Sequence, residues 1–419
     1  MSITRTALEE VEKRFNRLIG TSATNLCTHC GWCVESCHVY LSTLNPELSP
    51  VAKTERVRRV LKRSHDWLSK LVPFWTGAAD LTESELDKWV ELAYKYCTLC
   101  ERCVINCPMA VETPQIMGAI RGTLTSIKKS PEILDQLTGA EIAREDGLDM
   151  MREIFREHIV DLEKEVQEKL NNPSAKIPIE EEAEILYVPL SGVHTIIPPA
   201  VIFNYVGASW TLSMFESSNY AMFLGDIPRA KQIVNRILKE AERLNVKEIV
   251  LSECGHAYAA FRWEAPKWFG EPLKFKVSSI LEVMDDYLET GVLTFDSSQN
   301  GEAITYHDPC NIGRKGGIFE EPRRIINVIS SNYREMYPSR EQNFCCGGGG
   351  GLVANTDWQD YRIETGKVKA DQIRETRAKK VLTSCDNCLH QIQEISEYYD
   401  LNVEVSNVSQ WAISALTIT

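Results

Sequence analysis

No stretch of the 419-residue chain approaches the roughly 18 to 20 consecutive apolar residues that a membrane-spanning helix needs. Its most apolar run, Ile196 to Phe203, is short and broken by Pro198 and Pro199. The N-terminus, Met1 to Gly20, lacks the apolar region of a secretory signal; Leu8, Val11, Phe15 and Leu18 recur near helical spacing among charged residues. We therefore expect a soluble chain in the cytoplasm, peripheral at most on the cytoplasmic membrane face. Basic charge is also short, with 46 Lys and Arg against 59 Asp and Glu and a net charge of −13, which argues against nucleic acid as a partner. No Gly-x-Gly-x-x-Gly follows a strand-like run, so no flavin is expected in this chain.

What the chain has in excess is cysteine, fourteen in all. In a reducing compartment so many thiols point to metal ligands rather than disulfides. Hydrophobic residues (43%) and charged residues (25%) stand at globular values, so folded cores are expected along most of the length. The patterning divides the chain in four: residues 1–125 with two similar cysteine runs, an acidic helical connector over 126–183, and two α/β repeats over 184–300 and 301–419. In the connector, Phe155, Ile159, Leu162, Val166 and Leu170 share one helical face, and a turn at Asn171 to Ser174 ends the helix. Strands are expected at Ile185 to Leu190, Glu248 to Ser252, Ala303 to His307 and Lys380 to Thr383.

Cys27, Cys30, Cys33 and Cys37 are spaced C-x2-C-x2-C-x3-C, and Cys97, Cys100, Cys103 and Cys107 repeat the spacing, closing on Pro108. Two-residue gaps let successive thiolates reach neighbouring irons of one cube while the loop N–H groups face the sulfurs. The runs resemble those of two-cluster ferredoxins, in which the fourth cysteine crosses to the other cluster. That resemblance implies two cubane [4Fe-4S] clusters, one on Cys27, Cys30, Cys33 and Cys107, the other on Cys97, Cys100, Cys103 and Cys37. The first run departs from the pattern at His38, where proline is usual.

A second array lies toward the C-terminus: Cys310, the adjacent Cys345 and Cys346, then Cys385 and Cys388. Five thiols exceed what one cube takes, so the site is expected to be opened or bridged. The glycines Gly347 to Gly351, Gly347 and Gly348 first, would let the backbone approach sulfur and iron with no Cβ in the way and offer N–H groups to an anionic cofactor. In the first repeat Cys254 aligns with Cys385, but Ala257 replaces Cys388, and the residues aligned with Cys345 and Cys346 fall near Met214 and Phe215. The first repeat is read as having kept the fold and lost the ligands.

The pattern Cys310, Cys345-Cys346-Gly347, Cys385-x-x-Cys388 resembles the CCG domain of heterodisulfide reductase catalytic subunits. Two ferredoxin runs followed by two such repeats resemble the D-type subunits. The segment Glu253-Cys254-Gly255-His256-Ala257 is similar to that of the K subunit of the Dsr sulfite-reduction membrane complex and of related Tmc and Hmc subunits. The resemblance implies an N-terminal helical two-cluster ferredoxin-like domain, two pseudo-symmetric α/β CCG domains, and one noncubane [4Fe-4S] cluster on the five cysteines. It implies electron exchange between a partner subunit (a membrane cytochrome b, a flavoprotein or a hydrogenase) and a small or protein thiol/disulfide substrate. His256 and His307 are then candidate proton donors or structural hydrogen-bond partners; Cys254 is read as a packed relic of the lost site, or else an extra ligand or substrate thiol; Arg314 and Lys315 are read as solvated loop residues, or else as holders of an anionic substrate. The layout also resembles the iron–sulfur subunits of flavin-dependent glycolate and lactate oxidases, which gives a second reading as an electron relay.

Overall fold

The computed structural model describes residues 2–18, 25–143, 148–190, 192–296 and 301–418, with backbone alone for 16–18 and 148–157. Leu18, at the end of the N-terminal amphipathic pattern, and Phe155, on the connector's apolar face, therefore lie outside the residues with described side chains. The chain falls into two compact units, each discontinuous in sequence. The first comprises Met1–Gln136, Tyr220–Asp226 and Glu341–Asp371; the second comprises Leu137–Asn219, Ile227–Arg340 and Gln372–Thr419.

The first unit is helical. Ala7, Val11 and Phe15 put an apolar stripe on the helix Ile3–Leu18, which packs on the helix Thr113–Ser126. Ser49 starts the helix Pro50–His65 by accepting the Ala52 N–H, with Pro50 in the first helical position, where its missing donor costs nothing. Val57, Leu61, Trp89, Ile116, Ile120 and Leu124 complete a core into which Phe223 and Leu224 are also drawn. Arg121 stands at its centre with no exposed surface. Its guanidinium donates to the carbonyls of Ala93 (2.9 Å), Cys97, Phe223 and Gly350 (2.8 Å each). These bonds tie 220–226 and 341–371 to this unit, as do Thr125 to the Leu224 carbonyl (2.9 Å), Arg102 to the Gln342 carbonyl (2.7 Å) and the edge-on pair Tyr96–Tyr361. The segment 341–371 thus departs from the expected C-terminal division, because its polar backbone finds its donors on the N-terminal helices.

The second unit carries two parallel sheets. The strands β1 (Ile185–Val188), β2 (Trp210–Leu212), β3 (Glu248–Leu251) and β4 (Lys276–Ser279) run in the order β2-β1-β3-β4. The strands β5 (Ile304–His307), β6 (Lys380–Thr383) and β7 (Glu404–Asn407) run in the order β5-β6-β7. All pairs are parallel. Parallel sheets are covered on both faces, which is why β1, β3, β5 and β6 read as short apolar runs. The sheets repeat one plan. The strands β1, β3 and β4 correspond to β5, β6 and β7, and the pairing of Ile185 with Trp210 corresponds to the isolated parallel bridge of Ile304 with Tyr333. β2 escapes the pattern because it is only three residues long, and β4 and β7 because their last two residues are polar, Ser278 and Ser279, Ser406 and Asn407.

Those polar ends lead into helices. Ser279 and Glu282 form a reciprocal capping box on the helix Ile280–Glu289. Its counterpart Asn407 makes no side-chain cap for the helix Val408–Ala412. Glu253 of the first repeat does so instead, accepting the N–H groups of Val408 (2.9 Å) and Ser409 (3.2 Å) and the Ser409 hydroxyl. The segment 213–215, which the sequence aligns with Cys345 and Cys346, is a turn held by Glu240 through Ser213 and the Met214 N–H. The first repeat sends 220–226 into the first unit, as the second sends 341–371.

Candidate metal centres

The two ferredoxin-like runs adopt the same backbone. His29 (φ 57°) and Gly31 (φ 82°) in the first correspond to Leu99 (φ 58°) and Glu101 (φ 66°) in the second, all left-handed. Three of the four are not glycine, and each such residue costs about 1 kcal/mol or more. The loops are therefore held in a shape their residues do not prefer, as at ligand clamps.

Cys27, Cys30, Cys33 and Cys107, with Cys103, line one recess of about 380 Å³, together with Val51, Met109 and Val111. Cys37, Cys97, Cys100 and Cys103 line a second of about 370 Å³, with His38, Val39, Lys53 and Tyr96. The fourth cysteine of each run thus lies with the first three of the other. Burial, and then the neighbouring Cys107 and Cys27 thiols, push the Cys33 thiol up to about 11; burial likewise raises Cys37 and Cys103. Crowded thiols that resist ionisation together are a fitting donor set for a cation, which releases their protons as it binds. The all-sulfur sets suit iron–sulfur clusters.

Cys345 and Cys346 lie in the first unit, buried at the head of the glycine run. The Gly347 N–H points at Cys345 Sγ and the Gly348 N–H at Cys346 Sγ, each at 3.4 Å, and the Thr98 hydroxyl lies 3.4 Å from Cys345 Sγ. The run is packed, not a linker: a Cβ on Gly350 would meet Arg121 Nη2 at 2.8 Å, and one on Gly351 would meet both Leu134 Cδ atoms at 3.0 Å. A ring nitrogen of His38, Cys100 Sγ and Cys345 Sγ all lie within 4.8 Å of one another. The first cysteine of the adjacent pair is thus placed against the second ferredoxin-like set.

Cys310, Cys385 and Cys388 lie in the second unit. Cys310 follows β5 in a turn that its carbonyl closes by accepting the Lys315 N–H (3.0 Å); Arg314 and Lys315 are half-buried there rather than fully solvated. Cys385 is the N-cap of the helix Asp386–Tyr398, whose first turn carries Cys388. Cys254 holds the same position in the first repeat, as N-cap of the helix Gly255–Ala259. Burial, and then the Cys385 thiol, push the Cys254 thiol up to about 12. His307 ends β5 fully buried, a ring nitrogen within 4.8 Å of Cys388 Sγ. His256 is half-buried with Nε2 3.2 Å from Asn311 Nδ2, one residue from Cys310.

Sequence reasoning missed three polar groups around these cysteines. His194 Nε2 lies 2.7 Å from Asp386 Oδ1, and His390 lies 3.5 Å from Oδ2. Although burial opposes it, these bonds, His194 first, hold Asp386 down at about 2. Asp386 was findable, standing between Cys385 and Cys388; His194, almost two hundred residues away, had no local signal.

Comparison with known proteins agrees with this arrangement. Residues 23–111 match the 4Fe-4S dicluster domain and residues 304–393 the cysteine-rich CCG domain. The chain is similar to the Hdr-like menaquinol oxidoreductase iron-sulfur subunit 2 of Archaeoglobus fulgidus, 27% identical over 94% of this chain and 80% of the relative. It is similar to the D-type subunit of the dihydromethanophenazine:CoB–CoM heterodisulfide reductase of Methanosarcina mazei, 24% identical over 93% of each chain. A partial match, 27% identical over 46% of this chain and 27% of the relative, is to the EtfAB:quinone oxidoreductase of Syntrophomonas wolfei. No helix among the described residues is long and apolar enough to cross a membrane. With a dicluster domain, a CCG domain and a likeness over nearly its whole length to D-type and Hdr-like subunits, the chain has the make-up of an iron–sulfur redox subunit similar to those of heterodisulfide reductases.

Proposed function

We propose that this oxidoreductase subunit moves electrons between a partner subunit and a thiol/disulfide couple. The crossed cysteine sets Cys27, Cys30, Cys33, Cys107 and Cys97, Cys100, Cys103, Cys37 would hold two cubane [4Fe-4S] clusters. Cys310, Cys345, Cys346, Cys385 and Cys388 would hold one noncubane [4Fe-4S] cluster, as the family pattern implies. Bound, these groups supply single-electron transfer and iron open to sulfur. The observation that carries the reading is the placement of Cys345 Sγ within 4.8 Å of Cys100 Sγ, which gives electrons a path from the second ferredoxin-like set to the C-terminal pair. The Gly347 and Gly348 N–H groups would stabilise negative charge on the sulfurs they already face.

Reduction of a disulfide takes two electrons and two protons and releases two thiols; the reverse reaction returns them. His307 beside Cys388 and His256 beside Asn311 would hold protons for the leaving thiolates. Cys254, against Cys385, would face the substrate side of the site as a neutral thiol at neutral pH. We place the chain on the cytoplasmic side, in a complex with a membrane cytochrome, flavoprotein or hydrogenase subunit. The exposed Trp67, Leu71, Phe74 and Trp75, each at least 70% accessible, are a surface such a subunit would cover.

Disulfide turnover by the isolated chain with a one-electron donor, on protein holding about twelve irons, tests the proposal. About twelve irons follows from three four-iron clusters. Absence of turnover by fully loaded protein would favour the second reading, a relay subunit serving a flavin partner; the partial likeness to an EtfAB:quinone oxidoreductase is compatible with it.

A further inference from the structure

The residue after the last cysteine of each ferredoxin-like run differs: Pro108 follows Cys107, but His38 follows Cys37. Cys37 is an N-cap (φ −93°, ψ 112°) and His38 is the first residue of the helix His38–Thr43. That position suits proline, whose φ is preset and whose missing N–H is not needed there. The backbone therefore supplies no reason for histidine, and the reason must lie in the side chain.

The His38 side chain is 3% exposed, and its Nε2 is buried with no protein partner among the described residues. Buried polar atoms without a partner are few in folded proteins and mark places where a bound group or a function requires them. What this ring faces is sulfur: one of its nitrogens, Cys100 Sγ and Cys345 Sγ lie within 4.8 Å of one another, all in the first unit. Cys345 Sγ already has the Thr98 hydroxyl and the Gly347 N–H at 3.4 Å, so polar groups gather around this sulfur beside the His38 ring.

We propose that the His38 ring donates an N–H···S hydrogen bond between Cys100 and Cys345, making it the positioning residue that links the second ferredoxin-like set to the five-cysteine site. The inference rests on the reading of Cys100 and Cys345 as ligands of two different clusters. A hydrogen bond to ligand sulfur stabilises the more negative, reduced state and raises the reduction potential. Accepted by Cys345 Sγ, this bond biases the last electron step toward the five-cysteine site and holds the ring beside Cys100.

The test is an EPR-monitored redox titration of the anaerobically purified full chain, wild type against His38→Pro and His38→Gln, with iron counted in each. Cys30→Ser identifies the signal of the Cys27, Cys30, Cys33 and Cys107 set. His38→Pro is expected to keep its iron and to lower the midpoint of a signal other than that one. At the wild-type midpoint the reduced-to-oxidised ratio should fall about tenfold, equivalent to about 59 mV for one electron. The signal assigned through Cys30→Ser should not move, and His38→Gln, whose amide can still donate, should recover part of the shift. Unmoved midpoints in iron-replete His38→Pro would overturn the proposal, as would an equal shift of every signal in both variants, or loss of metal showing His38 to be a direct ligand. A wild-type protein with only about eight irons, the content of two four-iron clusters, would overturn the reading of Cys345 and this inference together.

Discussion

Arg121 offers the sharpest test of how the first unit is held together. Its guanidinium is wholly buried and meets no carboxylate among the described residues; its partners are four backbone carbonyls, of Ala93, Cys97, Phe223 and Gly350, and its head lies 4.8 Å from the centre of the Tyr94 ring. Burial, above all, pulls its pKa down, yet it keeps its proton, because guanidinium starts so high. Arg121→Met would leave four buried acceptors without donors. At about 1 kcal/mol each, the low end for a buried unpaired group, the loss is about 4 kcal/mol. Relief from no longer burying a cation offsets part of this, leaving roughly 3 kcal/mol. Native-state hydrogen exchange reads it directly: amides of the helix Thr113–Ser126 should exchange on the order of 100-fold faster, the equivalent of that loss, while those of β3 and β6 serve as an unchanged internal reference. Arg121→Lys, a point charge in place of a planar fork, should lose about half as much. Exchange accelerated less than about threefold in Arg121→Met would refute the reasoning, since it would mean the four carbonyls find other donors at little cost.

Burial lifts the Glu253 carboxyl to about 7, against the lowering effect of Ser409 and Val408. The folded state then holds a proton more tightly than the unfolded chain, so stability is greatest at low pH and falls as pH rises from the ordinary glutamate range toward 7. Melting temperatures measured from pH 5.5 to 8 should show that fall in the wild type and a flat profile in Glu253→Gln; parallel profiles would exclude Glu253 as the titrating group. Cys254, buried and with its thiol near 12, should remain unmodified by iodoacetamide at pH 8 in the native protein, as read by peptide mass spectrometry. Alkylation at the rate of a free thiol would show the site to be open. Gly31→Ala, at φ 82° with nothing within 4 Å of the new Cβ, should cost about 1 kcal/mol in chemical unfolding. Gly351→Ala, at φ 88° and crowded by Leu134 and Phe223, should cost clearly more, and equal losses would contradict the packing argument.

The cysteine spacing made the two ferredoxin-like sets legible in the sequence, because ligand spacing is local. The strands β1, β3, β5 and β6 were legible for a related reason, since strands covered on both faces must be apolar throughout. β4 and β7 were not, because Ser279 and Asn407 stand at the starts of the helices that follow and break the apolar run. Glu253 looked like part of a motif beside Cys254; its structural duty is to cap a helix 155 residues further on, which no local pattern encodes. His38 was visible as a departure from proline, but its neighbours Cys100 and Cys345 come together only in the fold. The boundaries over 341–371 were unreadable for the same reason. Arg121, in an otherwise ordinary helical sequence, draws its acceptors from segments up to 229 residues away.

The discontinuity of the first unit has a bearing on how the protein is made. A ribosome delivers the chain from the N-terminus, and domains generally fold as they emerge. This unit cannot do so, because Arg121 waits for Phe223 and then for Gly350 before its last acceptors exist. The eight ferredoxin-like cysteines therefore emerge in a unit that still lacks its last core segments while most of the remaining chain is synthesised. Assembly of this protein is a problem of timing, in which eight early thiols must be kept reduced until a late segment arrives.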